Sequence, residues 1–336
     1  MYKSRQCQLS AALLIFVFAL VGCKKPEAQK VHIAVVSQTA FTSLPVTVAQ
    51  ELGYFKSENL AVTIEDVKGP SSAIQALSGR SADVAASIPD VILLAAAEGK
   101  QFRSFELMCD LPGLALAVSP GKESEVRTFR DLRGKTIGIV SLGSSAEIYV
   151  RYLASRQGLK QEDIHFVQSG SPAARIAAME SGQVDAAVIS EPAISILRRR
   201  HNGIALIADC RTEAGAQDWF GSPQYPGSAV FSTPEWVAKN PTTVRSLARA
   251  IVRAQNWMRA QPPDVTAKKM PPAFLQADPI AFVEGLTVST PSYSQSGRFK
   301  DEAVQKAWEV IANFSEKARN HPVNLQELFT NDYLPK

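Results

Sequence analysis

An order of secondary elements that occurs twice constrains this chain more than any other feature. Val31–Val36 (VHIAVV) reads as a strand, Leu44–Tyr54 as a helix that stops at Gly53, and Ala61–Val67 as an alternating strand. Ser71–Leu77 follows as a helix ending at Gly79, Asp83–Ser87 as a short buried strand, and Asp90–Glu98 as a helix closed by Gly99. Phe105–Met108 and Leu114–Ser119 add two strands, and then the series restarts. Lys135–Val140, Ile164–Gln168, Asp185–Ile189 and Ile204–Ala208 read as strands, separated by helices at Ala146–Arg156, Pro172–Glu180 and Ala193–Arg200. Strands alternating with helices imply a parallel sheet covered on both faces. The halves also match at one offset: Ile74 with Ile176, Ala76 with Ala178, Asp83 with Asp185 and Ala85 with Ala187. With no third copy, the reading is two similar α/β lobes rather than a solenoid.

Length and composition agree with that reading. The chain has 336 residues, 46% hydrophobic and 20% charged, as expected of an ordinary globular protein of about two domains. Its formal charge is +4, and losing Lys3 and Arg5 with a cleaved leader leaves +2. So small a charge gives no reason to expect a nucleic-acid partner, which requires positive charge concentrated over many phosphates.

The first residues read as an address. Met1–Gln8 is polar with two cations, Leu9–Leu20 is almost wholly apolar, and Leu20-Val21-Gly22-Cys23 sets small residues before a cysteine. These are the parts of a secretory signal, and the apolar run is shorter than the ~20 residues a spanning helix needs. LVGC resembles the bacterial lipobox, which implies cleavage after Gly22 and a lipid on Cys23. Lys24–Lys30 reads as a polar tether. Cys7 leaves with the signal and Cys23 carries lipid, so Cys109 and Cys210 remain. They fall in different lobes and are expected to be free, packed thiols. Export allows a disulfide between them, and sequence does not give their separation.

From Pro234 onward helices dominate. Asn240-Pro241 marks a helix start, and further helices are expected at Pro279–Thr287 and Asp301–Lys317. Arg245, Arg249 and Arg253 stripe one face of the first of these helices, a pattern typical of a solvated surface and also open to a permease-docking reading.

Three stretches carry a family resemblance. Val46–Ser87, Asp131–Ser145 (DLRGKTIGIVSLGSS) and Ser181–Ala193 (SGQVDAAVISEPA) resemble ABC-transporter solute-binding proteins of the nitrate/sulfonate/taurine and thiamine-pyrimidine type. The resemblance covers roughly Val31 to Gln261. It implies an α/β, two-lobed periplasmic-binding-protein type II architecture, with two hinge crossings and a helical C-terminal region. The implied organisation is residues 1–22 as signal, 23–30 as tether, 31–118 as first lobe, 119–227 as second lobe, and 228–336 as the return to the first lobe with the C-terminal helices. The crossings are expected near Leu116–Ser119 and Ser228–Phe231. The implied role is an extracytoplasmic, lipid-anchored subunit in the periplasm or at the cell surface. It would hand a small solute, sulfonate-like, taurine-like or aminopyrimidine-like, to the transmembrane subunits of a permease.

In open α/β sheets ligands bind at the carboxyl ends of the strands. Read that way, the candidate ligand residues are Gln38 and Thr39, Ser71, Ser87 and Asp90 in the first lobe. In the second they are Ser144, Ser145, Ser190 and Glu191. This set is rich in hydroxyls and poor in Lys and Arg. Gly143-Ser144-Ser145 opens a helix, where free N–H groups and hydroxyls favour an anion. Either serine could instead only cap the helix. The segment Gly138–Ser145 has phosphate-loop spacing, but Ser144 stands where that loop requires lysine, which argues against nucleotide hydrolysis. Glu191 either stabilises a helix start or accepts hydrogen bonds from a ligand amine or amidine. A carboxylate would repel a simple oxyanion, so the combination favours a ligand with separated polar ends or a neutral heteroaromatic. Trp219, Phe220 and Tyr225 fall in a Gly/Pro-rich loop, as packing residues or at the cleft mouth.

The rival class is an enzyme on the same fold, a pyrimidine synthase or a small dehydratase. The synthases resembled here use a cysteine-rich motif and histidine. In this chain His32, His165, His201 and His321 are isolated, without metal-ligand spacing, and no G-x-S-x-G elbow occurs. No cofactor, metal or catalytic residue is expected.

Overall fold

A computed structural model describes residues 27–67, 69–275 and 277–335. The signal and Cys23 lie outside the described residues. Among the described residues the strands are, in chain order, β1 (Gln29–Val36), β2 (Leu60–Val67), β3 (Val84–Ser87), β4 (Arg103–Cys109), β5 (Leu114–Val118), β6 (Thr136–Ile139), β7 (His165–Gln168), β8 (Ala186–Ser190), β9 (Leu206–Asp209) and β10 (Ser228–Ser232).

They form two five-stranded sheets, ordered β2-β1-β3-β10-β4 and β7-β6-β8-β5-β9. In each, three strands run parallel and the strand arriving from the other lobe runs antiparallel between its neighbours. The repeat seen in the sequence is therefore a repeat of topology, and it extends to single atoms. Asp83 Oδ2 accepts from His32 N–H at 2.8 Å, and Asp185 Oδ2 accepts from Thr136 N–H at 2.9 Å. Each aspartate, standing just before β3 or β8, ties that strand to its lobe's first parallel strand, β1 or β6.

The strand alternation sorts side chains into cores. Ile33 and Val35 of β1 face Leu247, Ile251 and Ala254 of the long helix Pro241–Ala260, whereas Ala34 faces the opposite layer with Ile92. In β5, Ala115 and Ala117 face Ile176, Ile194 and Leu197, and Leu116 and Val118 face the other way. That second layer is continuous across both lobes, joining Ile92 and Leu107 to Tyr149, Trp219 and Val310. Among the described residues no helix is long and apolar enough to cross a membrane.

The first crossing lies upstream of the expected place. Leu114–Val118 is a strand of the second sheet, so the chain changes lobe at residues 110–113 rather than at Leu116–Ser119. Ser228–Ser232 belongs to the first sheet, which puts the return crossing at residues 221–227. The crossings run side by side, with Tyr225 N–H on Asp110 O at 3.1 Å and Gly227 N–H on Cys109 O at 2.8 Å. A Cβ on Gly227 would meet Leu111 O at 1.8 Å, so only glycine permits this approach.

Two local expectations also change. Trp219 and Phe220 end a helix, Glu213–Phe220, capped by Thr212 Oγ1 on Gly215 N–H at 3.1 Å and closed by left-handed Gly221. The helix expected over Asp301–Lys317 breaks at Ser315, whose Oγ accepts from Ala318 N–H and starts a second helix, Glu316–Asn320. The C-terminal helices also bridge the lobes. Asp301–Phe314 packs on Ser145–Arg156 of the second lobe and on Asp90–Ala97 of the first, and Pro279–Ser289 packs on Ala193–Arg200.

Candidate functional site

The carboxyl ends of both parallel sets face the gap between the lobes. There a cavity of ≈380 Å³ takes one wall from Ser71, Ile74 and Val91 and the other from Ser141, Ser144 and Ser145. Lys100 and Lys317 stand on its rim, both within ion-pair reach of Glu98, at 3.8 and 2.9 Å. A larger hollow of ≈720 Å³ lies at the amino-terminal ends of β1 and β2, beside His32 and Val62, away from any strand end that could present a ligand site.

Asp90 begins the helix whose next residue, Val91, lines the cavity. Its side chain is wholly buried between the lobes. The Tyr225 hydroxyl donates to Oδ1 at 3.3 Å, while Oδ2 has no hydrogen-bond partner. Tyr149 and Ser145 of the second lobe face the same carboxyl, though Tyr149 OH is not placed for a full hydrogen bond. Burial pushes Asp90 up to about 6, against the opposing pull of those three hydroxyls. Tyr149, Phe220 and Tyr225 pack as an aromatic cluster with ring centroids 4.2–5.2 Å apart, and Trp219 Nε1 donates to Tyr149 O at 3.0 Å. These aromatics are packing residues that hold the hinge side of the cleft.

Ser144 occupies the N-cap position of Ser145–Arg156 without making a side-chain cap bond. Its Oγ is buried and unpartnered, as is Oγ of Ser87. The helix start is served instead by Glu147, whose Oε2 accepts from Gly143 N–H at 2.7 Å while Arg151 holds Oε1. Buried polar atoms in proteins are nearly always hydrogen-bonded. Here Asp90 Oδ2, Ser144 Oγ and Tyr149 OH lack partners where the two lobes meet, and Ser87 Oγ lacks one at the end of β3.

The other expected ligand residues are placed differently. Gln38 and Thr39 sit beyond β1, with Gln38 N–H on Asp66 Oδ2 at 3.1 Å and Thr39 Oγ1 3.3 Å from Ser37 Oγ, outside the cavity wall. Ser190 and Glu191 line a separate hollow of ≈50 Å³ with Phe41 and Tyr293. Both Glu191 oxygens are engaged, Oε1 by Arg211 Nη1 at 2.5 Å and Oε2 by Ser195 N–H at 3.0 Å. The structure thus brings together Ser71, Ser144 and Ser145 at the cavity with Asp90 buried against Ser145, leaves Ser87 outside the cavity wall, and sets Glu191 apart in a buried ion pair.

Sequence reasoning missed Tyr149, Lys100, Lys317 and the buried Arg175, whose Nη1 donates to Gly170 O. Tyr149 was legible in principle, four residues after Ser145 and hence on the same helix face. Lys317 was not, because only the fold carries the C-terminal helices to the cleft. Cys109 and Cys210 are free and buried, and burial pushes both thiols up. The four histidines lie away from the cavity, His201 against Glu180 at 3.0 Å and His32 against Glu65 at 3.2 Å.

Comparison with known proteins agrees with this architecture. A solved structure from Bordetella bronchiseptica RB50 superposes with a TM-score of 0.82 at 32% identity, covering 91% of this chain and 96% of that one. The alkanesulfonate-binding protein SsuA from Xanthomonas axonopodis, bound to MOPS, gives a TM-score of 0.69 at 19% identity over 88% of this chain and 96% of its own. That likeness establishes a periplasmic-binding-protein fold. Among curated relatives, Bacillus subtilis YtlA, provisionally named a binding protein, is 22% identical over 93% of this chain and 90% of its own. The 4-amino-5-hydroxymethyl-2-methylpyrimidine phosphate synthase of Candida albicans is 24% identical over 87% of this chain and 84% of its own. Residues 40–265 match the family described as NMT1/THI5 like, and the chain belongs to that family.

Proposed function

We propose that this chain is the solute-binding subunit of an ABC importer, closing its lobes around a small polar organic solute and presenting it to a permease. The observation that carries this reading is the interlobe cavity, walled by Ser71 of the first lobe and by Ser141, Ser145 and the unpartnered Ser144 of the second. Ser71, Asp90, Ser144 and Ser145 are the contact residues. Sulfonate-like and aminopyrimidine-like solutes both fit the size and polarity of the space. The test is native mass spectrometry of freshly purified protein, followed by solution scattering with the co-purified compound restored. A bound small molecule and a smaller radius of gyration at saturation are expected. A chain that carries no small molecule, or whose radius is unchanged at saturation, refutes the reading.

The same reading places the mature chain outside the cytoplasm, tethered through lipid on Cys23. Wild-type cells fed labelled fatty acid should label the protein, and the Cys23→Ser chain should not label. Label persisting in the serine variant would rule out the anchor.

The Candida albicans relative supports a second reading, an enzyme on this fold. It predicts a chemically altered product after incubation with a pyrimidine precursor. The binding reading predicts that the compound is recovered unchanged. The position of all four histidines away from the cavity supports the binding reading.

A further inference from the structure

Resting on the solute-binding reading, we propose that Arg175 holds the solute's charged group, and that the solute is therefore an organic oxyanion. Arg175 is 8% exposed and forms no ion pair among the described residues. Its one hydrogen bond runs from Nη1 to Gly170 O, and its Nε is buried without a partner. Other shielded arginines of the second lobe are matched: Arg211 holds Glu191 and Asp209, and Arg151 holds Glu147. Burial lowers the Arg175 guanidinium to about 10, which leaves it protonated at neutral pH.

The side chain stands behind the cavity wall, one loop away from Ser141. β6 and β7 run parallel with Ile139 opposite Gln168, and Ser169 N–H donates to Ile139 O at 2.8 Å. Ser141 and Gly170 therefore leave the sheet side by side, and Ser141 lines the interlobe cavity. Arg175 belongs to the helix Pro172–Glu180, and long helical side chains run back toward the helix start. The bond to Gly170 O fixes the guanidinium at that same cleft-facing end.

Burying an unpaired charge is strongly unfavourable, so a fold that keeps one calls for a counter-charge. A structural clamp on the Gly170 loop needs only Nη1. The edge formed by Nε and Nη2 remains, two parallel donors spaced for one oxyanion. The unpartnered Ser144 Oγ and the start of helix Ser145–Arg156 lie one loop away and favour the same sign of charge. Sulfonate, carboxylate and phosphate esters share this chemistry.

Thermal melting of the full chain tests the assignment, using isethionate, acetate, inorganic phosphate and neutral 4-amino-2-methylpyrimidine as probes. At least one oxyanion should raise the midpoint of the wild type. Arg175→Met should weaken that binding by roughly a hundredfold, and Arg175→Lys, which keeps the charge without the fork, by roughly tenfold. Without a probe, Arg175→Met should melt no lower than wild type, because an unpaired buried charge has gone. A purely structural arginine would give the opposite pattern, a lowered midpoint and an undiminished response. Should Arg175→Met fail to fold, Arg175→Lys decides, and an unchanged oxyanion response in it overturns the proposal. A wild type that ignores every oxyanion but responds to the aminopyrimidine overturns the oxyanion assignment and leaves the solute-binding reading standing. No response to any probe counts against both.

Discussion

Glu191 sits between Arg211 and the first turn of helix Ala193–Arg200, with its side chain 1% exposed. Removing one partner of a buried pair leaves the other without its counter-charge, typically at about 3–5 kcal/mol. Arg211 also holds Asp209 through two contacts of 2.7 and 2.8 Å, and a glutamine can still accept from Ser195 N–H. Glu191→Gln should therefore lose about 2–3 kcal/mol of stability. That corresponds to a drop of roughly 3–5 °C in melting midpoint for a chain of this size. Affinity for the solute should stay within about threefold. An unchanged midpoint together with lost affinity would return Glu191 to the ligand. Individual residues were legible only in part. The positions after each strand end could be read off the chain, and Ser71, Ser144 and Ser145 do line the cavity. Which hydroxyl caps a helix and which is left free depends on partners far away in sequence. The sequence left Ser144 as a cap or a ligand residue, and the geometry gives the capping work to Glu147. Arg175 was invisible for a similar reason. An arginine in a helix is usually solvated, and only the packing of the loop after β7 shows that this one is buried.

At the scale of elements, boundaries were legible where punctuation is local. Gly53, Gly99 and Gly158 have positive φ just past helix ends, as expected for a residue without Cβ. Pro172 and Pro279 open helices behind capping Ser171 and Asp278. The misses occurred where tertiary packing overrides the local signal. Glu213–Phe220 reads as a loop because glycine and proline surround it, yet Thr212 caps it and its aromatic end is buried in the hinge. The arginine stripe of Pro241–Ala260 is structural along its length. Arg249 pairs with Glu58 at 2.6 Å, Arg253 lies 4.3 Å from the Tyr54 ring centroid, and Arg245 lies 5.4 Å from that of Tyr333. Those contacts fasten the long helix to the first lobe, while all three arginines stay exposed at its surface. The helix Pro279–Ser289 is tied to the second lobe by Arg199, at 3.0 Å from Asp278 and 3.3 Å from Glu284. Any opening of the cleft must break or carry these pairs, which are partly exposed and worth little individually.

At the scale of the whole molecule, closure of the lobes is coupled to the charge on Asp90. The carboxyl belongs to the first lobe, and the groups facing it from elsewhere are Tyr149 and Ser145 of the second lobe and Tyr225 of the return crossing. None of these supplies a positive charge, so closing the cleft moves a carboxyl out of water without a cation to meet it. An open cleft should restore its ordinary value, near the 3.8 from which burial raises it to about 6. The sign follows from proton binding. Below about pH 4 both forms are protonated and closure carries no penalty from this group. Between about 4 and 6 the closed form holds a proton that the open form has released, so closure weakens as pH rises. Above about 6 the penalty is constant, at about 3 kcal/mol for a shift of that size. The radius of gyration, measured by solution scattering without added solute, should therefore increase as pH is raised from about 4 to about 7 and then level off. Asp90→Asn keeps the shape of the side chain and removes the titration. Its radius should stay at the low-pH value throughout. A wild-type radius that does not change with pH, or an Asp90→Asn chain that follows the wild-type curve, would show that closure is independent of this carboxyl. An amine or amidinium on the solute would act in the opposite direction. It would supply the missing cation and make closure strongest above about pH 6, so the pH profile measured with solute present reports whether a nitrogen reaches Asp90.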